Sequence, residues 1–151
     1  MGKKIDRKDF LKTTLVGAAS IAAFHGISKS TFAQADLFSK INRAEDPKNM
    51  SLLEKKHSPV IKVPEKIKAG EPFDVQIEVG GVAHPMERGH YIGWLQLFAD
   101  EVPIATVTFQ PVISRPKAAI TVILEKSVTL RVLESCNLHG VWESSLKISL
   151  L

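Results

Sequence analysis

The chain has 151 residues, 44% of them apolar and 24% charged, with 20 Lys and Arg against 16 Asp and Glu. Six of the basic groups and two of the acidic ones fall in residues 1–35, so residues 36–151 are charge-balanced and offer no basic surface for tracking nucleic-acid phosphates. The single cysteine, Cys136, excludes an intramolecular disulfide and a metal site of cysteines alone, and the remaining length suits one ordinary domain.

Residues 3–12 are polar and basic, Thr13–Phe24 is a run of mostly small apolar residues, and Ala33-Gln34-Ala35 is a small-x-small sequence. That is the order of an export signal, and the apolar run is short of the ~20 residues a membrane-spanning helix needs. Asp6-Arg7-Lys8-Asp9-Phe10-Leu11-Lys12 resembles the twin-arginine signal, with Lys8 in place of the second arginine. The resemblance implies export of an already folded chain, often with its metal loaded. The expectation is cleavage near Ala35, a place on the periplasmic or cell-envelope side, and no stable membrane insertion afterwards. With no cysteine at the cleavage site, no lipid anchor is expected there.

Residues 36–53 are polar with scattered apolar positions and are interrupted by Asp46-Pro47, which reads as a linker with one or two short helical turns. From Pro59 onward short β-rich runs alternate with turn residues. Val60–Val63 ends at Pro64, Lys68–Glu71 is a turn, and Phe73–Val79 places Phe73, Val75, Ile77 and Val79 on one face against Asp74, Gln76 and Glu78 on the other. Further runs follow at Tyr91–Phe98, Ile104–Phe109, Ala118–Leu124, Thr129–Leu133 and Ser145–Leu150. Pro or Gly separates several of them and no 3.6-residue period intervenes, which predicts an all-β chain, an antiparallel β-sandwich of about seven strands over residues 54–151.

Outside the N-terminal segment, every histidine and the cysteine lie in three short pieces beside strand ends: Glu54–Pro59, His84–Tyr91 and Cys136–Trp142. Loops at one end of a sandwich converge, so these pieces can build one site. Cys136 and His139 can chelate one ion from a single turn, while His84 and His90 bracket a loop whose Pro85 and Gly89 favour sharp turning. Four imidazoles and a thiol are one donor too many for a closed zinc site. Blue copper takes two histidines, a cysteine and a weak axial ligand, yet Met50 and Met86 both precede the Cys136–His139 pair. Iron accepts imidazole readily, and a thiolate pushes electron density onto it.

Lys56-His57-Ser58-Pro59-Val60-Ile61, His84-Pro85-Met86 with His90-Tyr91-Ile92, and Cys136-Asn137-Leu138-His139-Gly140-Val141-Trp142 together resemble the superoxide reductase family, the neelaredoxin and desulfoferrodoxin iron proteins, over about residues 54–146. The resemblance implies an immunoglobulin-like sandwich. It also implies one mononuclear iron, ferrous or ferric, with His57, His84, His90 and His139 in a plane and Cys136 axial. The activity implied is one-electron reduction of superoxide to hydrogen peroxide, with an external electron-donor protein and with a homo-oligomer left open. A rubredoxin-like domain, which some relatives carry, needs four more cysteines and is not expected.

In many relatives the residues before the first histidine read Glu-Lys, the Glu binding ferric iron and the Lys drawing superoxide in. Here Glu54-Lys55-Lys56-His57 puts Lys56 in the lysine's place and Lys55 in the glutamate's. Either Glu54 reaches the metal through a loop shifted by one residue, or the ferric site lacks that ligand. Ala83-His84-Pro85-Met86-Glu87 followed by Gly89 also resembles a stretch of β-sandwich carrier subunits in bacterial sulfur oxidation, which have no need of His57 or the Cys136–His139 pair. The alternative reading is therefore a non-enzymatic β-sandwich, an electron-transfer copper protein or a carrier and binding module.

Overall fold

The computed structural model describes residues 40–151, and the export signal expected over residues 1–35 lies outside them. Alternation of apolar and polar residues sets the strands. In β3 (Pro72–Val79) the residues Phe73, Val75, Ile77 and Val79 are buried while Pro72, Asp74 and Gln76 face solvent. β2 (Pro59–Lys62), β3 and β6 (Lys117–Ile123) pair antiparallel in the order β2-β3-β6. β4 (Ile92–Ala99), β5 (Val102–Thr108), β7 (Val128–Cys136) and β8 (Gly140–Ile148) form a second antiparallel sheet in the order β8-β7-β4-β5. Val75 and Ile77 of the first sheet and Leu95, Leu97, Leu130 and Val132 of the second share one core and are at most 2% exposed. The chain is a β-sandwich of seven antiparallel strands, as the alternation predicts.

Two features depart from the sequence reading. Within residues 36–53, read as a linker, Ile41–Asn42 forms a strand, β1, that adds parallel to β8 through Ile41↔Val141 and Asn42↔Trp142. Two residues carry no period to read. What holds them is the Asn42 side-chain amide donating to Val141 O at 3.0 Å and Arg43 paired with Glu143 at 3.2 Å. The second departure is the last hairpin. The apolar runs predict strands at Thr129–Leu133 and Ser145–Leu150, but β7 and β8 stay paired up to Cys136↔Gly140. Glu134 and Glu143 break the apolar pattern without breaking the ladder, and Gly140 closes the turn with φ +76°.

The start of β2, the end of β3, the start of β4 and the β7–β8 turn all lie at one end of the sandwich, because Pro59 pairs with Val79, Ile92 with Cys136 and Cys136 with Gly140. The helix α1 (Leu52–His57) enters the same end. No helix among the described residues is long and apolar enough to cross a membrane.

Candidate metal centre

α1 begins in a capping box: the Ser51 hydroxyl accepts from Glu54 N, and Ser51 N–H donates to the Glu54 carboxylate at 2.7 Å. The helix ends at His57, whose ring reaches back one turn so that Nδ1 meets the Leu53 carbonyl at 2.7 Å. A carbonyl only accepts, so the proton sits on Nδ1 and Nε2 presents a lone pair. Gly80 then brings the next ligand loop against the helix. It holds φ +84°, and a Cβ there would lie 2.5 Å from the carbonyl oxygens of Lys56 and Val82, so only glycine fits. Gly80 N–H donates to Ser58 O at 3.3 Å and Val82 N–H to Lys55 O at 3.2 Å. His84 follows, its Nδ1 on the Pro85 carbonyl at 2.6 Å and its Nε2 only 3.1 Å from that of His57.

The other donors come from the loop just before β4, the end of β7 and the β7–β8 turn. Glu87 and His90 exchange backbone hydrogen bonds of 2.9 and 3.2 Å, which folds the loop back on itself. Asn137 staples that loop to the turn: its N–H donates to Tyr91 O at 3.1 Å, its Oδ1 accepts from Tyr91 N at 2.8 Å, and its Nδ2 donates to Gly89 O at 2.9 Å. Cys136 Sγ lies 3.4 Å from His139 Nδ1. Trp142 stacks on the His57 ring at 5.2 Å and donates its indole N–H to His139 O at 3.1 Å.

Thus His57, His84, His90, Cys136 and His139 each offer one donor atom, and the five lie within 4.8 Å of one another. Ligands facing each other across a transition metal are separated by about 4.2 Å, the sum of two metal–nitrogen bonds, so the span suits a single ion. The proton placement suits it as well. Two bare imidazole lone pairs face each other at 3.1 Å, and His90 Nε2 is buried with no hydrogen-bond partner among the described residues. A cation among these atoms satisfies all three. His57, His84 and Cys136 are buried and His90 and His139 half-buried, which gives the cluster a closed side and an open one.

Burial is the main cause of the electrostatics here. It lowers His57 and His84 to about 4 against the pull of the Leu53 and Pro85 carbonyls, with neighbouring imidazoles pushing the same way. His90 is lowered by burial, then by His139 and Lys56, against Glu87. Burial raises the Cys136 thiol, opposed by the backbone N–H groups of Leu138 and His139. These shifts favour neutral imidazoles, the metal-binding form, while a cation would convert the thiol to thiolate.

The structure separates the remaining sequence candidates. Lys56 is half-buried and its charge lowers both His57 and His90, whereas Lys55 is exposed. Glu54 does not join the five donors. Its carboxylate accepts from Glu45 N at 2.8 Å and from Ser51 N and Oγ at 2.7 Å, which also holds its pKa below the ordinary value. Both carboxylate oxygens are thus engaged, Oε1 by the Glu45 N–H and Oε2 by the capping box, which leaves the shifted-loop alternative without support in this arrangement.

Sequence reasoning assigned no role to Asn137, Trp142 or Glu134. Glu134 is fully buried, neither oxygen has a partner among the described residues, and burial pushes its pKa up to about 9. The signal for it was parity: Leu130, Val132, Glu134 and Cys136 share the inward face of β7.

Residues 49–145 match the sequence model of the family described as Desulfoferrodoxin. A candidate superoxide reductase of Methanocaldococcus jannaschii is 40% identical over 101 residues, covering 64% of this chain and 85% of that protein. The superoxide reductase of Thermococcus kodakarensis is 31% identical over 103 residues, covering 62% and 87%. Among solved structures, the superoxide reductase (neelaredoxin) of Ignicoccus hospitalis superposes with a TM-score of 0.64 at 32% identity, covering 78% of this chain and 98% of that one.

The lowered imidazole values set a pH dependence for the metal-free protein. Unfolded His57 and His84 regain their ordinary pKa of 6.5, so between pH 6.5 and about 4 the unfolded chain binds more protons than the folded one. Folding stability is therefore full above that window and lost progressively as pH falls through it. Calorimetry of metal-free protein should show Tm dropping between pH 7 and 5, above the range where most carboxylates titrate. Metal-loaded protein should hold its Tm to lower pH. A metal-free Tm that is flat over this range would contradict the assigned imidazole burial.

Proposed function

Because the chain belongs to the desulfoferrodoxin family, we propose that it is a superoxide reductase, in which superoxide, one electron and two protons give hydrogen peroxide. The observation that carries this reading is the cluster of four imidazoles and one thiol, with the proton-free Nε2 atoms of His57 and His84 turned inward. His57, His84, His90, His139 and Cys136 would hold iron, and bound iron would supply the electron that the side chains lack. A copper site of two imidazoles and a thiolate leaves two of these histidines unused, and a carrier module has no need of the cluster.

The chain's own residues do the rest. The Leu53 and Pro85 carbonyls hold the His57 and His84 protons on Nδ1 and so keep both Nε2 atoms available. Trp142 covers the inner face of His57 and keeps water from that side. On the half-open side Lys56 puts an ammonium charge where His57 and His90 feel it, which favours approach of an anion. The N–H groups of Leu138 and His139 favour the anionic form of Cys136, the form that donates electron density. With Glu54 committed to the helix cap, no carboxylate among the described residues joins the five donors.

Protein loaded with iron should bind about one iron per chain and show a visible thiolate-to-iron band when oxidised. Cys136→Ser should lose the band and most superoxide reduction. Tight binding of copper or zinc in place of iron, without reactivity toward superoxide, contradicts the reading.

The lysines are separable by kinetics. Charged clefts raise anion association by roughly 10- to 1000-fold, and the gain shrinks with salt because screening acts over ~8–10 Å. Lys56→Ala should slow the second-order reaction with superoxide, and Lys55→Ala/Lys56→Ala should slow it further and flatten its salt dependence with the iron spectrum little altered. Pulse radiolysis across a salt series measures both, and a double variant with the parent's rate and slope removes the lysines from the mechanism.

Export on the periplasmic or cell-envelope side, with residues 1–35 removed, is the reading the N-terminal pattern supports. N-terminal sequencing of protein from that fraction should start near Asp36, and replacing Arg7 and Lys8 together should leave precursor in the cytoplasm. Full-length cytoplasmic protein from the unaltered gene refutes export.

A further inference from the structure

Superoxide reduction consumes one electron per turnover that this chain cannot generate, so on the reading above a one-electron carrier must return it. Electron transfer falls steeply with distance, and the carrier's contact must therefore lie close to a donor ring. His84, buried on the cluster side, also forms part of the wall of a surface pocket of about 480 Å³. Met86, Glu87, Arg88, Val112 and Arg115 line the same pocket, and no residue of α1, with its Lys55 and Lys56, belongs to it. A protein seated there would come up against a donor imidazole without crossing the lysine side.

The loop between β5 and β6 builds the outer wall in an unusual way. Val112 holds φ +73°, in the left-handed region that a β-branched residue rarely adopts. Val112 N–H donates to Met86 O at 2.6 Å, and Ser114 N–H closes the turn on Gln110 O at 3.1 Å. The strain does not serve burial, since Val112 is 59% and Ile113 83% exposed. Strain held at an exposed apolar tip beside a donor ring is a feature of recognition surfaces. Arg88 and Arg115 flank the tip against the single acid Glu87. Small apolar patches edged by arginine suit the weak, low-area encounters of redox partners, and the net positive edge selects an acidic one.

We propose that the His84–Arg88 and Val112–Arg115 face is the docking surface for an acidic one-electron carrier protein. The carrier gives one electron through the His84 side, is itself oxidised by one electron, and leaves.

Two variants at exposed positions test it with a plant-type [2Fe–2S] ferredoxin as the acidic probe: Ile113→Ser, and Arg88→Gln with Arg115→Gln. Calorimetric binding of the ferredoxin to the iron-loaded protein is read alongside stopped-flow re-reduction of the oxidised form, with durohydroquinone as a small neutral reductant for comparison. Each variant should bind the ferredoxin more weakly and be reduced by it about tenfold more slowly, the arginine pair also losing salt dependence. Durohydroquinone rates should stay within about twofold, and Ile113→Ser should consume superoxide as the parent does. Parent-like ferredoxin binding and reduction in both variants, equal losses with durohydroquinone, or a parent that does not bind the ferredoxin overturns the assignment. A parent inert toward superoxide whose ferredoxin binding is nonetheless lost in both variants keeps the docking face and removes the superoxide reading.

Discussion

Two imidazole nitrogens without protons, 3.1 Å apart and almost shut off from water, repel each other unless positive charge lies between them. Much of the surrounding chain serves to hold that pair in place. The Leu53 and Pro85 carbonyls prevent either ring from turning its proton inward, and Gly80 lets the loop carrying His84 press on the end of the helix carrying His57. Asn137 spans from the other side with three hydrogen bonds. The conformational restriction is set during folding, and the closely packed sandwich core offsets its cost. An incoming ion then meets donors already aimed at it, and little of its binding energy goes into ordering them.

Much of this was legible in the amino-acid sequence because the signals were local. The alternation in Phe73–Val79 names both the strand and its buried face, and donor-type residues confined to three loops name the ligand set. What the sequence hides is whatever depends on a partner distant in the chain. β1 is a strand only because Val141 and Trp142 lie beside it. Glu54 looks available for a metal until Glu45 and Ser51 are seen to occupy it. The apolar runs end at Leu133 although the hairpin continues to Gly140, because a ladder is held by backbone groups that carry no sequence signature.

Two buried glutamates show how differently the fold treats charge. Glu143 lies between Arg43 and Arg131, with Arg131 also bound to Glu101, so a chain of alternating charges ties β1, β8, β7 and the β4–β5 turn together. Removing one member of such a chain strands the others, which costs more than the pair contributes. Glu134 has no such partners. At neutral pH it persists as an uncharged carboxylic acid in the core, on the same face of β7 as Cys136. Its charged form would add a negative centre behind the sulfur, and the surrounding apolar packing suppresses that form.

The donors come from α1, the β3–β4 loop, the end of β7 and the β7–β8 turn, spread over residues 57–139. An unfolded chain cannot gather them, so occupancy and folding are one linked equilibrium. A free ion held at a thousand times its dissociation constant adds about 4 kcal/mol to folding, comparable to much of the net stability of a small domain. Proteases digest the open state, and its population is set by that same sum. The metal supply of the compartment therefore governs not only how many molecules are active but how long each one survives. Scarcity would clear the metal-free chains first and leave a smaller pool made up mostly of loaded ones.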